Sequence, residues 1–268
     1  MNGRWRSGDR MFLPSKADKA MRPFESENLI LRQLADSERL ALDSILKPFN
    51  LPRGFEIARS GMPLGHCYFL ESGIASVVAT SPEGRKTEVG VLGREGMTPP
   101  ILTTDAERFP FDVTMQIDGH GHRVEAAALG GFLADRPAIR RLLSRSLHTF
   151  FAQMANTALS NAVHKIDVRL ARWILMWHDR LDGDEIGITH DYMARMLGVR
   201  RSSVTEALHI LEGEHLIYST RGLVIIRNRA ALEAFAADAY DVAGITRRDR
   251  PEIGRRPLAS AGGIISPV

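Results

Sequence analysis

Cysteine is all but missing from this chain of 268 residues: Cys67 is the only one. A single thiol excludes an intramolecular disulfide and any cysteine-ligated iron–sulfur cluster held within one chain. Beside Tyr68 and Phe69, Cys67 reads as a small core hydrophobe rather than a redox sensor. Long apolar runs are missing too, and none reaches the roughly 18 residues of a membrane-spanning helix. The residues up to Pro23 are basic and polar, without the apolar stretch of a secretory signal. A cytoplasmic protein with no membrane partner is expected. Charge of one sign is scarce: 35 Lys and Arg stand against 32 Asp and Glu, a net of +3. Such a balance tolerates a nucleic-acid partner but does not argue for one. Nucleophile elbow, P-loop, dinucleotide fingerprint and metal-pair motif are all absent, so neither an enzyme nor a cofactor is expected.

What is present, 44% apolar and 25% charged residues, suffices for two ordinary domains. Residues 1–28 read as a flexible extension. Asp36 or Ser37 caps a short helical face of Leu40, Leu42, Ile45 and Leu46 that ends before Pro48. From Phe49 to Val124 short β-rich runs alternate with turns. The runs are Phe55 to Ile57, Cys67 to Leu70, Ile74 to Ala79, Thr87 to Leu92 and Val113 to Ile117; the turns contain Gly73, Gly84 and Gly93 to Gly96. Many short strands at this spacing predict a β-sandwich or barrel over residues 29–137. His120-Gly121-His122 offers two metal donors, but it reads as a turn and lacks a nearby third ligand, so no metal is expected.

The period then turns helical. Ala126 to Ala134 predicts one helix, and Pro137 suits the first turn of a much longer one over residues 138–165. Along it Leu143, Leu147, Phe150, Met154, Thr157 and Asn161 alternate by four and three, the spacing of a coiled-coil seam. These six are the expected dimerisation residues. Ile139, Phe151, Ala155, Ala158 and Leu159 widen the stripe, so that one side can meet a partner helix and another the barrel. A break near His164 precedes a helix capped by Asp167, with Leu170, Ile174, Leu175 and Trp177 on its face; His164 reads as a satisfied polar group rather than a hinge contact.

Residues 166–237 hold the most specific pattern. Thr189 caps a helix carrying Tyr192, Met193, Met196 and Leu197, and Gly198 stops it. A second helix from about Arg201 to Leu211 turns Val204, Leu208 and Leu211 inward and Arg201, Ser202, Thr205, Glu206 and His209 outward. Leu216 to Tyr218 and Leu223 to Ile226, joined through Arg221-Gly222, form a β-wing, and Asn228 caps a last helix. Residues 238–268, rich in Arg, Gly, Pro and Ser, read as a disordered tail.

This stretch resembles the DNA-binding domain of the Crp/Fnr family of bacterial transcription regulators, through Ile188-Thr189, Leu197-Gly198, Arg201 to Thr205, Leu208, Leu211, Leu216-Ile217 and Arg221-Gly222. The resemblance implies an α+β fold: an N-terminal jelly-roll barrel like the cyclic-nucleotide-binding domains, a long dimerisation helix and a C-terminal winged helix-turn-helix. It implies a homodimer acting on palindromic operators, with double-stranded DNA and RNA polymerase as partners and a small-molecule effector left open. Base reading falls to Arg201, Ser202, Ser203, Thr205 and Glu206, and phosphate contact to Thr189, Arg195, Arg200 and Arg221. The family's reading face carries arginine, glutamate and arginine. Arg201 matches the first, while Ser202 and Glu206 replace the others. Nucleotide-binding members hold the ribose with a glycine-glutamate pair and the phosphate with an arginine followed by a small hydroxyl residue. Met97 stands where that glutamate belongs, no such arginine precedes Val113, and Arg108 serves only if the loop is shifted, so no cyclic nucleotide is expected. The alternatives are a cyclic-nucleotide-dependent activator and an interaction protein that does not bind DNA.

Overall fold

The computed structural model describes residues 26–100 and 108–241. Residues 1–25 of the expected extension and 242–268 of the expected tail lie outside them. Ser26 and Glu27, read as part of the flexible extension, are instead tied to Glu71: Ser26 Oγ donates to Oε1 over 2.6 Å. Asn28 then caps α1 (Leu29–Arg32), its Oδ1 accepting from the N–H groups of Ile30 and Leu31. α2 (Asp36–Asp43) follows.

Eight strands come next: β1 (Lys47–Leu51), β2 (Glu56–Ala58), β3 (His66–Leu70), β4 (Ile74–Thr80), β5 (Lys86–Leu92), β6 (Met97–Thr98), β7 (Asp112–Ile117) and β8 (Gly119–Glu125). They form two antiparallel sheets, β1-β8-β3-β6 and β2-β7-β4-β5. Among the described residues no strand of one sheet pairs with a strand of the other, so the expected barrel is an open jelly-roll sandwich. Its interior is filled by Leu51, Tyr68 and Leu70 from one sheet and Ala75, Val77, Leu92, Val113 and Met115 from the other. Both sheets are also covered outside. Cys67, Phe69 and Val124 turn outward beneath α1 and the helices that follow β8, while Ile74, Val78 and Val91 turn outward toward the C-terminal domain. Burial on two faces explains why β3 and β4 read as nearly continuous apolar runs.

Two strands depart from expectation. β1 contains Pro48, but it lies at the edge of its sheet, where a missing N–H does no harm. The predicted turn at His120-Gly121-His122 is the middle of β8, held between β1 and β3. Its glycines serve close approach rather than turning, since a Cβ on Gly121 would sit 2.2 Å from the Phe69 carbonyl oxygen. His122 Nδ1 lies 3.3 Å from Glu71 Oε1 and His120 Nδ1 2.8 Å from Ser72 Oγ, so both rings have protein partners.

α3 (Ala126–Ala134) and α4 (Pro137–Val163) match the helices read from the sequence. The seam assigned to α4 does not match. Leu143 and Phe150 are buried in the two sandwich clusters and Met154 packs against one of them, while Thr157 Oγ1 accepts from Arg172 Nη2 over 3.1 Å. Four of the six expected dimerisation residues therefore face their own chain. The exposed apolar stripe is the neighbouring one, where Phe151, Leu159 and Val163 are 56%, 46% and 62% accessible and Ala155, Ala158 and Ala162 lie between them. The spacing is that of a packed helix, and the sandwich is what it packs against.

His164 ends α4, with Nδ1 3.1 Å from Ser160 Oγ and Nε2 3.3 Å from Asp238 Oδ1, a satisfied polar group as expected. In α5 (Ile166–His178) the cap is Lys165, and Asp167 lies inside the first turn instead.

The β8 packing generates a test. Gly121→Ala should destabilise by about 2 kcal/mol or more, because backbone on the facing strand must move. Gly131→Ala, in open space on α3, should stabilise by about 0.5–1 kcal/mol. Denaturant unfolding of both variants checks the pair, and equal midpoints would contradict the contact.

Candidate nucleic-acid interface

The C-terminal domain is built around α5. Its residues Leu170 to Trp177 are all buried, and the Trp173 and Trp177 rings lie 4.4 Å apart between centroids. Against it pack α6 (His190–Leu197), α7 (Arg201–Gly213) and α8 (Arg229–Ala236), with β9 (Glu185–Ile186), β10 (Ile217–Thr220) and β11 (Leu223–Ile226) forming a three-stranded wing in the order β10-β11-β9. The predicted two-stranded wing thus gains a third strand, β9, from the segment between α5 and α6. α9 (Asp238–Asp241) replaces the start of the expected tail, and its Tyr240 hydroxyl donates to Asp179 over 2.7 Å. Arg229 Nη2 reaches the same carboxylate at 2.7 Å, tying α8 and α9 to the end of α5.

The helix pair forms for local reasons. Thr189 Oγ1 accepts from the Tyr192 N–H, capping α6. Gly198 ends α6 at φ 65 and ψ 35, a left-handed conformation that a side chain would disfavour. α7 buries Val204, Ala207, Leu208 and Leu211, leaving its opposite face bare. No side chain caps α7, so its first-turn N–H groups remain open to an anion.

The expected base readers divide into two groups. Arg201, Ser202 and Glu206 are exposed on the bare face. Among the described residues Arg201 is held only by an exposed ion pair to Asp191, 3.6 Å away, and such pairs open at little cost. Ser203 and Thr205 are half-buried on the flank. Thr205 Oγ1 donates to the Arg201 carbonyl and lies 3.2 Å from His190 Nδ1, joining the two helices rather than projecting outward. His209 continues the outward face, and so does Ile210, which the sequence reading overlooked although it lies four residues beyond Glu206. Ile210 is 46% exposed, unusual for an isoleucine with no apolar cover.

The expected phosphate ligands surround this face. Arg195 is exposed above the Tyr192 ring, Arg200 is exposed at the start of α7, and Arg221 is exposed at the tip of the wing beside Gly222, whose φ is 83. Thr189 is exposed at the N-terminus of α6, its hydroxyl oxygen engaged as the cap. Short outward groups on one helix, flanked by separate cations, suit base edges and phosphates respectively.

The domain also meets the sandwich. Arg94 Nη2 lies 2.8 Å from Asp182 Oδ1, and Arg180 Nη2 lies 2.6 Å from Glu95 Oε1. Thr87 Oγ1 on β5 donates to the Met196 carbonyl of α6 over 3.2 Å. One apolar cluster runs from Ile74, Val78 and Val91 through α5 into α6, α7 and α8.

Comparison with known proteins bears on the same region. Residues 168–235 match the family model of the Crp-like helix-turn-helix domain. Over 186 residues, 67% of this chain and 83% of the relative, the chain is 25% identical to a CRP-like cAMP-activated global transcriptional regulator of Mycobacterium tuberculosis. Among solved structures, it shares the fold of a Crp/Fnr-family regulator from Eubacterium rectale, at a TM-score of 0.60 and 19% identity over 78% of this chain and 97% of that one. A CRP-family transcriptional regulator from Thermus thermophilus is similar at a TM-score of 0.58 and 21% identity, over 71% and 96% of the two chains.

Proposed function

We infer that this chain, a DNA-binding transcription regulator of the Crp/Fnr family by its matched reader domain and its fold, works as a homodimer on palindromic operators without a cyclic nucleotide. The observation that carries the reading is the bare face of α7, on which Arg201, Ser202 and Glu206 project from a helix whose other side is buried. In a major groove Arg201 takes guanine through a bidentate pair, Glu206 accepts from a cytosine amino group, and Ile210 meets a thymine methyl. Ser203 and Thr205 serve the flank, against base or phosphate. Arg195, Arg200, Arg221 and the N-terminus of α6 at Thr189 hold phosphates and set the register. RNA polymerase is the downstream partner and the cytoplasm the compartment. The chemistry is binding, not catalysis.

Dimerisation belongs to the exposed stripe of α4, from Phe151 through Ala155, Ala158 and Ala162 to Leu159 and Val163. Two copies joined there present two α7 helices to half-sites about one turn, roughly 34 Å, apart.

Against nucleotide gating stands the chemistry of the matching positions. Met97 is apolar, buried and paired with Phe69. Arg108 is exposed and donates to the Gly61 carbonyl at 2.6 Å rather than facing the sandwich interior. The second reading, a cyclic-nucleotide-dependent activator, draws on the name of the mycobacterial relative.

Three measurements follow. Selection of bound duplexes from a randomised pool should return a palindrome, and Arg201→Ala should relax one position per half-site at a cost of about 1–3 kcal/mol; uniform weakening at every position would remove Arg201 from base reading. Leu159→Glu should shift a sedimentation profile from dimer toward monomer, whereas Asn161→Glu, on the four-and-three seam, should shift it less. Cyclic AMP should leave the melting temperature unchanged, since a ligand that prefers the native state must raise it. A rise would favour the second reading.

A further inference from the structure

One carboxyl group is buried where the reader rests on the sandwich, and no cation pairs with it. Glu88, on β5, is 5% exposed, and among the described residues no Lys, Arg or His nitrogen comes within 4.0 Å of its oxygens. Its Oε1 accepts from Trp173 Nε1 of α5 over 2.6 Å, and its Oε2 is hydrogen-bonded to Ser76 Oγ of β4. Ser76 Oγ in turn lies 3.6 Å from Met196 Sδ of α6. The four residues thus join two strands of the sandwich to two helices of the reader.

The hydrogens of this chain of contacts fit a protonated Glu88. Ser76 has one hydroxyl hydrogen. If it goes to an ionised Glu88, Met196 receives none. If Glu88 carries a proton, Oε2–H donates to Ser76 Oγ, Ser76 donates to Met196 Sδ, and every link is made. Burial argues the same way, pushing the Glu88 acid up to about 7 against the opposing hydrogen bonds from Ser76 and Trp173 and the attraction of Arg180 and Arg172. Arg172 and Arg180 are the charged groups facing it from α5, and Tyr192 is the titratable group on α6. Arg169 lines the same cavity of about 20 Å³, room for one water, to which α4 contributes the uncharged Thr157, Ser160 and Asn161.

The chain of bonds closes beside the end of α7 that leads into a groove. Thr87, next to Glu88, holds the Met196 carbonyl, and its Oγ1 lies 3.7 Å from where a Cβ of Gly198 would be. Arg200 and Arg201 begin two residues later. In helix-turn-helix readers it is the N-terminal part of the second helix that touches bases, and here the turn that leads into that part, at Gly198, abuts β5.

We propose that Glu88, Ser76, Trp173 and Met196 form a proton-operated latch: neutral Glu88 holds the reader docked with the turn ahead of α7 pinned against β5, and ionised Glu88 releases it, so that acidification, which fixes the orientation of α7, weakens DNA binding. Only the last clause rests on the DNA-reading function. The sign follows from linkage. A free glutamate titrates near 4.3 and the docked one higher, so docking is strongest in acid. It weakens as pH climbs from about 4.3 to about 7, and levels off above that.

The test reads docking without DNA, by energy transfer between dyes on Glu83→Cys of the β4–β5 hairpin and Arg227→Cys of the reader in the full chain. Cys67 is buried, with its thiol pushed up to about 12, and stays unlabelled. The transfer efficiency should change between about pH 5 and pH 7 and level off above, stay at its acid value throughout in Glu88→Gln, and keep a pH-dependent change in Ser76→Ala with its midpoint moved up, since the ionised form there loses a donor. Duplex affinity of the unlabelled chain should rise roughly tenfold or more over the same interval, and far less in Glu88→Gln. A wild-type transfer profile independent of pH, or one that Glu88→Gln reproduces, overturns the latch. A transfer profile as expected, with no specific duplex bound at any pH, keeps the latch and removes the DNA-reading function instead.

Discussion

Burial of α5 on all sides is the constraint on which the rest of the molecule depends. Eight consecutive residues of that helix, Leu170 to Trp177, have no free face, and even Arg172 among them is held, its Nη2 donating to the Thr157 hydroxyl and the Gln153 carbonyl of α4. A helix enclosed this way cannot belong to one domain. It closes the outer face of β4 and β5, forms the floor for α7 and α8, and follows α4 after a break of two residues. The apolar cluster around it, from Ile74 to Ala236, makes the sandwich and the reader share one interior. Where a shared interior must also contain hydrogen-bonding groups, their satisfaction becomes decisive, because an unpaired polar group there costs far more than at the surface.

That arrangement assigns different work to the two faces of each reader helix. The inner face of α7 is apolar and specifies where the helix lies; the outer face has few partners of its own and is available to a ligand. α4 repeats the division at larger scale, with Leu143 and Phe150 turned to the sandwich and Phe151, Leu159 and Val163 to solvent. Helices that are each anchored on one side and open on the other can hold their place in the fold and still offer a face to a partner.

The reader was legible in the sequence because its signals are local. A capping threonine, a glycine that must be left-handed, and apolar spacing at three and four residues determine α6 and α7 without reference to anything distant. Five of the sandwich strands were legible for the same reason. β8 was not, since Gly119 and Gly121 carry the mark of a turn while meeting a need that arises only when another strand lies against them. α4 shows the complementary limit: spacing reveals which positions are apolar, but two adjacent stripes on one helix do not say which meets the sheet. Ser76, Glu88 and Trp173 are separated by 12 and 85 residues, so nothing in the neighbourhood of Glu88 marks it as buried.

The ion pairs across the domain junction carry a consequence for the exchange of parts. The sandwich loop presents Arg94 and then Glu95, and the reader answers with Asp182 and Arg180, so that each side supplies one cation and one anion. A wholly basic loop facing a wholly acidic one would accept almost any partner of opposite sign. The reciprocal arrangement rejects a partner in which the two signs are transposed. A C-terminal domain exchanged at this junction would keep both ion pairs only if it kept that order of charges.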